Sequence, residues 1–137
     1  MRTTLLLAAL LAFAPAAPAF DLQGHRGARG LAPENTLAGF ERALRIGVTT
    51  LEMDAAVTAD GVVVVSHDPV LNPDLVRGPD GQWLAAPAVI HRLTHEQLQQ
   101  YDVGRIRPGS PYAAAFPGQQ PVDGQRMPTL ASVFELA

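Results

Sequence analysis

The sequence predicts an α/β fold, and the order of its elements is the main reason. A short extended stretch, Leu22 to Gly24, precedes a segment with helical periodicity, and two β-branched extended runs follow that segment. Strand, helix, strand and strand in this order favour an α/β domain whose strands pair at least partly in parallel.

The helix is predicted from apolar residues that recur at helical spacing, which are Leu37, Phe40 and Leu44. Asn35 or Thr36 is suited to cap its first turn, because a short polar side chain can accept a hydrogen bond from a free backbone N–H there. Gly47 fits the left-handed position that ends a helix.

Two strands are predicted after this helix. The first is the extended, β-branched run from Val48 to Thr58, and the second is the valine run from Val62 to Val65. The residues between them, Thr58 to Gly61, contain Asp-Gly, which is typical of a tight turn.

The amino-acid composition changes in residues 70–127, called here the proline-rich segment, because prolines become frequent. Nine of the 12 prolines lie between Pro69 and Pro128, so the segment is predicted to be mostly loop. It contains one predicted helix, about Thr94 to Tyr101, opened by a capping box of Thr94 and Gln97. A last helix is predicted from Thr129 to Ala137.

The composition excludes several kinds of chemistry. All 10 basic residues are arginine and there is no cysteine, so a P-loop lysine, a Schiff base, a thiol nucleophile and a disulfide frame are excluded. The net charge is −3 with 17% charged residues, which argues against a nucleic-acid partner.

Residues 1–19 have the pattern of a signal peptide. Arg2 precedes the apolar run Leu5 to Ala14, and Ala17-Pro18-Ala19 fits an A-x-A cleavage site. A buried N-terminal helix is the alternative, although it would lack a polar face. The run is too short to span a membrane, and a lipoprotein anchor would need a cysteine. The predicted location is therefore periplasmic or secreted, without a stable membrane anchor.

Glu52 and Asp54 are the first candidate site residues. They are two apart on the predicted strand, so both side chains should lie on one face. Adjacent carboxylates repel each other unless a cation lies between them, and Mg²⁺ or Ca²⁺ prefers such oxygen ligands. The pair alone is more typical of a solvent-facing acidic strand than of a metal site.

Two histidines strengthen the case for a site. His25 follows the first strand, and His67 follows the valine strand. If these strands are parallel, both histidines lie at strand carboxyl ends, where α/β folds assemble their sites. Two imidazoles can divide general acid and base catalysis, and Arg26 offers a planar fork for a phosphate. His91 and His95 have metal spacing, but a helix start between them favours ordinary surface residues.

Several motifs together resemble the glycerophosphodiester phosphodiesterase family. They occur in order with compatible spacing: His25-Arg26-Gly27, Pro33-Glu34-Asn35-Thr36, Glu52-x-Asp54, Thr58-x-Asp60-Gly61 and His67-Asp68. Later motifs resemble the periplasmic branch of that family: Arg77-Gly78-Pro79-Asp80-Gly81, Leu93-Thr94, Tyr101-Asp102-Val103-Gly104 and Pro128-Thr129-Leu130. The resemblance runs from about Leu22 to the end of the chain.

This resemblance implies a role for each candidate. Glu52 and Asp54 match metal carboxylates for Ca²⁺ or Mg²⁺, and Arg26 matches a phosphate-contacting arginine. His25 and His67 match the catalytic acid/base pair. Glu34 belongs to the signature and is expected to hold the His25 loop. The implied reaction is hydrolysis of a glycerophosphodiester, such as glycerophosphocholine or glycerophosphoethanolamine, to an alcohol and glycerol 3-phosphate.

The resemblance also implies the fold, a TIM (β/α)8 barrel. The proline-rich segment would be an insertion above the catalytic end of the barrel. Complete barrels have about 250 residues, so residues 20–137 are expected to be the N-terminal part of a truncated barrel, and the chain alone could be inactive. Two alternatives stay open: a phospholipase D-type barrel lyase, and a non-enzymatic secreted fragment that binds phosphate.

Overall fold

A computed structural model describes residues 20–137, so the predicted signal peptide lies outside the described residues. The strands in the described part are β1 Gln23–His25, β2 Thr50–Glu52, β3 Ala55–Val57, β4 Val63–Val65, β5 Val70–Leu71 and β6 Ala88–Val89. The α-helices there are α1 Leu37–Ile46, α2 His95–Leu98, α3 Pro111–Ala115 and α4 Leu130–Leu136, and a 3-10 turn, Ile90–Arg92, precedes α2.

The strands form three two-stranded sheets. β1 and β2 pair in parallel, with His25 opposite Glu52, because α1 crosses between them. β3 pairs antiparallel with β4, and β5 pairs antiparallel with β6. The predicted α/β class with partly parallel pairing is confirmed, but the valine strand β4 joins an antiparallel pair and not β1.

The predicted helix is confirmed as α1. Thr36 is its N-cap, and its hydroxyl accepts a hydrogen bond from Gly39 N–H at 3.0 Å. Gly47 ends the helix in the left-handed region at φ 89°, where a glycine carries no steric penalty. Phe40 and Ala43 are fully buried, so one face of α1 turns to the core.

The predicted strand from Val48 to Thr58 is wrong in one respect that matters for the site. The chain forms two strands, because β2 pairs with β1 whereas β3 pairs with β4 in another sheet. Met53 and Asp54 lie in the break, and Asp54 C=O accepts a hydrogen bond from Ser66 N–H at 3.0 Å. Glu52 and Asp54 therefore do not share a strand.

The proline-rich segment is more ordered than predicted. The capping box of Thr94 and Gln97 is confirmed, although α2 ends at Leu98. Helix α3 was not predicted, since its five residues are too few to show helical periodicity. It is defined instead by its start, where Ser110 caps the first turn and Pro111 occupies it.

Two buried cores lie on opposite sides of β4. Val64 belongs to a core with side chains of the proline-rich segment, namely Leu71, Val76, Ile90, Leu98 and Met127. Val65 packs with Phe40 and Val133, between α1 and α4. Alternation of side chains along the strand thus lets β4 support both cores. Within residues 20–137, no helix has the length and apolar character needed to cross a membrane.

Candidate active site

His25 and Glu52 lie side by side at the carboxyl ends of the parallel strands. They are register partners, and His25 Nε2 is 3.8 Å from Glu52 Oε2. The same carboxylate oxygen accepts a hydrogen bond from the backbone N–H of Arg26 at 2.9 Å. The His25 side chain is 59% exposed, so its ring is open to a ligand.

The loop after β1 has an unusual backbone. Arg26 lies in the left-handed region at φ 52°, and Asn35 does so at φ 53°. Asn35 N–H donates to Arg26 C=O at 3.0 Å, which ties the two residues together. Left-handed non-glycine residues cost free energy and cluster at functional sites, which is consistent with a site here.

The Arg26 side chain is almost fully buried between two carboxylates. Its Nη1 donates to Glu34 Oε1 at 2.9 Å, and its Nε lies 3.6 Å from Asp54 Oδ2. Burial lowers the pKa of Arg26, but the hydrogen bond and the charge of Glu34 outweigh burial, so the net pKa is raised. The guanidinium therefore stays charged. Within residues 20–137, neither Nη2 nor the buried Nε has a hydrogen-bond acceptor.

One observation on the candidate metal ligands Glu52 and Asp54 is compatible with a bound cation. Oδ2 of Asp54 is buried and has no hydrogen-bond partner among the described residues. The 3.6 Å to Arg26 Nε is too long for a hydrogen bond. An orphaned carboxylate oxygen is costly unless a cation or another donor meets it. Across residues 20–137, no three His, Cys, Asp or Glu side chains form a group that could hold a metal ion. Metal binding at Glu52 and Asp54 therefore stays a prediction.

His67 is held by its neighbour Asp68. The His67 Nδ1 lies 2.9 Å from Asp68 Oδ1, and Asn72 donates to the other oxygen at 3.1 Å. Burial raises the pKa of Asp68, but the hydrogen bonds from His67 and Asn72 and the charge of Arg26 outweigh it, so the net pKa is lowered. An ionised carboxylate only accepts, so the neutral ring keeps its proton on Nδ1 and presents Nε2 as a base.

The candidate residues come together in two adjoining groups. His25, Arg26, Glu34, Glu52 and Asp54 are linked by the contacts above. His67 and Asp68 line a cavity of about 50 Å³, and Glu34 lies in the wall of the same cavity. Of the remaining histidines, His95 lies in α2, whereas His91 lies in the 3-10 turn and lines a second cavity together with His67 and Asp68.

Three residues near the site were not assigned roles from the sequence. Asp68 could have been found, because it directly follows His67. Arg29 and Tyr112 could not have been found from the sequence, because neither belongs to a motif. Arg29 lies 5 positions before Glu34 in the chain and Tyr112 lies 78 positions after it, yet both contact its side chain.

A model of the glycerophosphoryl diester phosphodiesterase family matches residues 25–137. The chain belongs to this family. The resemblance seen in the sequence is therefore confirmed, whereas the assignment to its periplasmic branch stays a prediction.

Relatives support the same assignment over part of their length. A glycerophosphodiester phosphodiesterase of Caldanaerobacter subterraneus is 35% identical over 112 residues, which are 82% of this chain and 38% of that protein. A lysophospholipase D of Homo sapiens is 52% identical over 44 residues, which are 32% of this chain and 14% of that protein. The chain spans about two fifths of the length of the first of these relatives.

Solved structures of the family share the fold. One from Silicibacter pomeroyi is 38% identical with a TM-score of 0.83, and the match covers 88% of this chain and 41% of that one. An Oleispira antarctica phosphodiesterase in complex with sn-glycerol-3-phosphate is 26% identical with a TM-score of 0.60, covering 85% and 39%. These neighbours are TIM barrels, so the predicted fold is confirmed as part of one, and the described residues form no closed barrel.

Proposed function

We propose that the whole protein hydrolyses glycerophosphodiesters to an alcohol and glycerol 3-phosphate. The observation that carries the proposal is the linkage of His25, Arg26 and Glu52 at the ends of two parallel strands. It brings together an exposed imidazole, a charged guanidinium and a carboxylate. The product bound to the Oleispira antarctica relative supports the substrate class.

His25 and His67 are proposed as the acid/base pair. One ring takes the proton of a glycerol hydroxyl while that oxygen attacks phosphorus, and the other ring protonates the departing alcohol oxygen. The resulting cyclic phosphate is opened by water, with the two roles reversed. Asp68 supports this assignment, because it holds His67 with Nε2 available.

Arg26 is proposed to bind the phosphodiester. A fixed guanidinium stabilises the charge that develops on the phosphoryl oxygens in the transition state. Its Nη1 is already bonded to Glu34, so the side chain is oriented before substrate arrives. Preorganised donors of this kind need little rearrangement during the reaction.

A divalent cation, Ca²⁺ or Mg²⁺, is proposed at Glu52 and Asp54. The buried Oδ2 of Asp54, which has no hydrogen bond within residues 20–137, supports this. When bound, such an ion offsets negative charge on the phosphate. Glu52 keeps one oxygen bonded to Arg26 N–H, which leaves the other for the ion.

The protein is proposed to act in the periplasm or outside the cell. The basic start, apolar run and small-residue cleavage pattern of residues 1–19 support export. Expressed with its own leader in a Gram-negative host, the mature protein should begin at Phe20. Soluble protein that still begins at Met1 would contradict export.

The decisive test is a product assay on the whole protein. Glycerophosphocholine and glycerophosphoethanolamine should each release glycerol 3-phosphate, and His25→Ala should lower the rate of that release by about 10²–10⁴-fold. Accumulation of a cyclic phosphate without glycerol 3-phosphate would indicate the lyase alternative instead. Binding of phosphate without turnover of any diester would indicate a non-enzymatic protein.

A second substrate class is supported by the human lysophospholipase D relative. Lysophosphatidylcholine should therefore be assayed beside the water-soluble diesters. A much higher kcat/KM for lysophosphatidylcholine than for the water-soluble diesters would indicate a lipid substrate. The proposed roles of His25, His67 and Arg26 would not change.

A further inference from the structure

One carboxylate joins the proline-rich segment to the candidate phosphate site. Glu34 Oε1 accepts a hydrogen bond from Arg26 Nη1 at 2.9 Å. Its other oxygen, Oε2, lies 2.9 Å from Arg29 Nε and accepts a hydrogen bond from the Tyr112 hydroxyl. Only 8% of the Glu34 side chain is exposed, so these contacts are shielded from solvent.

Tyr112 is fixed in position by its surroundings. It lies in α3, where its ring centroid is 5.3 Å from that of Phe116. The Arg29 guanidinium lies 5.2 Å from the Tyr112 ring and 4.4 Å from the Phe116 ring. Arg29 Nη2 also donates to the Tyr112 oxygen at 2.6 Å. The hydroxyl hydrogen is thereby left to point at Glu34.

This hydroxyl remains a donor throughout the neutral range. Burial raises the pKa of Tyr112, and the hydrogen bond to Glu34 and the charge of Glu34 raise it further, to about 12. A carboxylate with one oxygen held by such a donor cannot rotate freely about its last carbon–carbon bond. The plane of Glu34, and with it the direction in which Oε1 meets Arg26, is therefore set by Tyr112 together with Arg29, which lies 2.9 Å from the same oxygen.

We propose that Tyr112 is a positioning residue that acts through Glu34 to hold the Arg26 guanidinium in the orientation that binds a phosphate. The inference rests on the proposed function and adds a residue from the proline-rich segment to its site. Tyr112 itself needs no contact with substrate.

The test compares Tyr112→Phe with Tyr101→Phe in the whole protein. Phenylalanine keeps the ring that packs on Phe116 and removes only the hydroxyl. Tyr101, the other tyrosine of this chain, packs on the core of the proline-rich segment, and its hydroxyl has no hydrogen bond within residues 20–137. It is therefore a matched control.

The expected result is a selective loss of phosphate binding. For Tyr112→Phe, the Kd of glycerol 3-phosphate by calorimetry and the KM of glycerophosphocholine should each rise about tenfold, the size typical of removing a group that orients a ligand-binding residue. We expect kcat to change less than KM. Tyr101→Phe should keep the wild-type Kd and KM.

A double-mutant cycle separates positioning from a general structural effect. If Tyr112 acts through Glu34, adding Tyr112→Phe to Glu34→Ala should raise the Kd little further. Full additivity, or a wild-type Kd for Tyr112→Phe alone, would overturn the inference.

The outcomes also distinguish this inference from the proposed function. An active wild type whose Tyr112→Phe form has unchanged Kd and KM refutes the inference alone. A wild type that turns over no diester refutes the function, and the comparison of glycerol 3-phosphate affinities still decides the role of Tyr112.

Discussion

The backbone N–H of Arg26 donates a hydrogen bond to Oε2 of Glu52 at 2.9 Å, across the ends of two parallel strands. A residue that lies in the left-handed region is thus held by a carboxylate of the candidate metal site. Loss of the Glu52 oxygen would disturb the loop, whereas loss of its charge alone would disturb only cation binding. This separation allows a precise test.

Glu52→Gln should weaken cation binding without disordering the loop. The amide oxygen can still accept from Arg26 N–H, but a neutral amide is a poorer ligand for a hard cation. We expect Glu52→Gln and Asp54→Asn each to raise the Mg²⁺ or Ca²⁺ concentration needed for half-maximal activity by roughly tenfold or more.

The control for the cation measurement is Glu41→Gln. Glu41 forms an exposed ion pair with Arg45 on α1, away from the site, and its loss should leave the cation requirement unchanged. Full activity of the wild type in excess chelator would contradict the metal assignment.

His25 and His67 should behave as a unit. Replacing either by alanine should lower turnover by about 10²–10⁴-fold with little change in substrate binding. The double variant should lose little more than the worse single, and the activity of the wild type should depend on pH as a bell-shaped curve. Independent, additive losses would show that the two rings are not partners.

Asp68→Asn should impair His67 without removing it. The asparagine NH2 can donate to Nδ1, which moves the ring proton to Nε2 and leaves no base there. We expect turnover to fall about 10–100-fold, as for other groups that orient a functional histidine. Asp74→Asn is the control, because the Asp74 carboxylate makes no hydrogen bond among residues 20–137. Equal turnover in the two variants would show that Asp68 does not orient His67.

Acid should weaken the ion network of the proline-rich segment. Hydrogen bonding to Arg105 lowers the pKa of Asp123, burial opposes this, and the charge of Arg77 lowers it further, to about 2. The unfolded chain takes up this proton near the ordinary value of 3.8. Stability from this group is therefore present above pH 3.8 and lost as pH falls towards 2.

Urea midpoints measured from pH 5 to pH 2 check this expectation. Asp123→Asn should reduce the fall in midpoint over that range, and salt should reduce it as well, because the pair is exposed. A variant with the same pH dependence as the wild type would show that Asp123 contributes nothing to acid stability.

Tyr112 should titrate far above an ordinary tyrosine. In Tyr101→Phe it is the only tyrosine of the chain, so absorbance at the tyrosinate band reports it alone. The midpoint should lie at about 12. The raised pKa means that its contribution to stability is present below pH 10 and lost as pH rises through 12. A midpoint near 10 in the folded protein would contradict burial of the hydroxyl against Glu34.

The sequence determined the family, the α/β class and the identity of the candidate residues. These follow from local features: the cap at Thr36, the glycine at position 47, the valine run and motifs whose residues lie close together in the chain. Such features are short in range, so residue type and spacing are enough to predict them.

Tertiary structure alone decided how those residues meet. The break between Glu52 and Ala55 depends on which strand each half pairs with. The Arg26 guanidinium was predicted to bind a phosphate with its planar face of donors, yet its Nη1 already donates a hydrogen bond to Glu34. The contact of Tyr112 with Glu34 joins residues 78 positions apart. Pairing partners and long-range contacts are set by packing of the whole chain, and no local pattern encodes them.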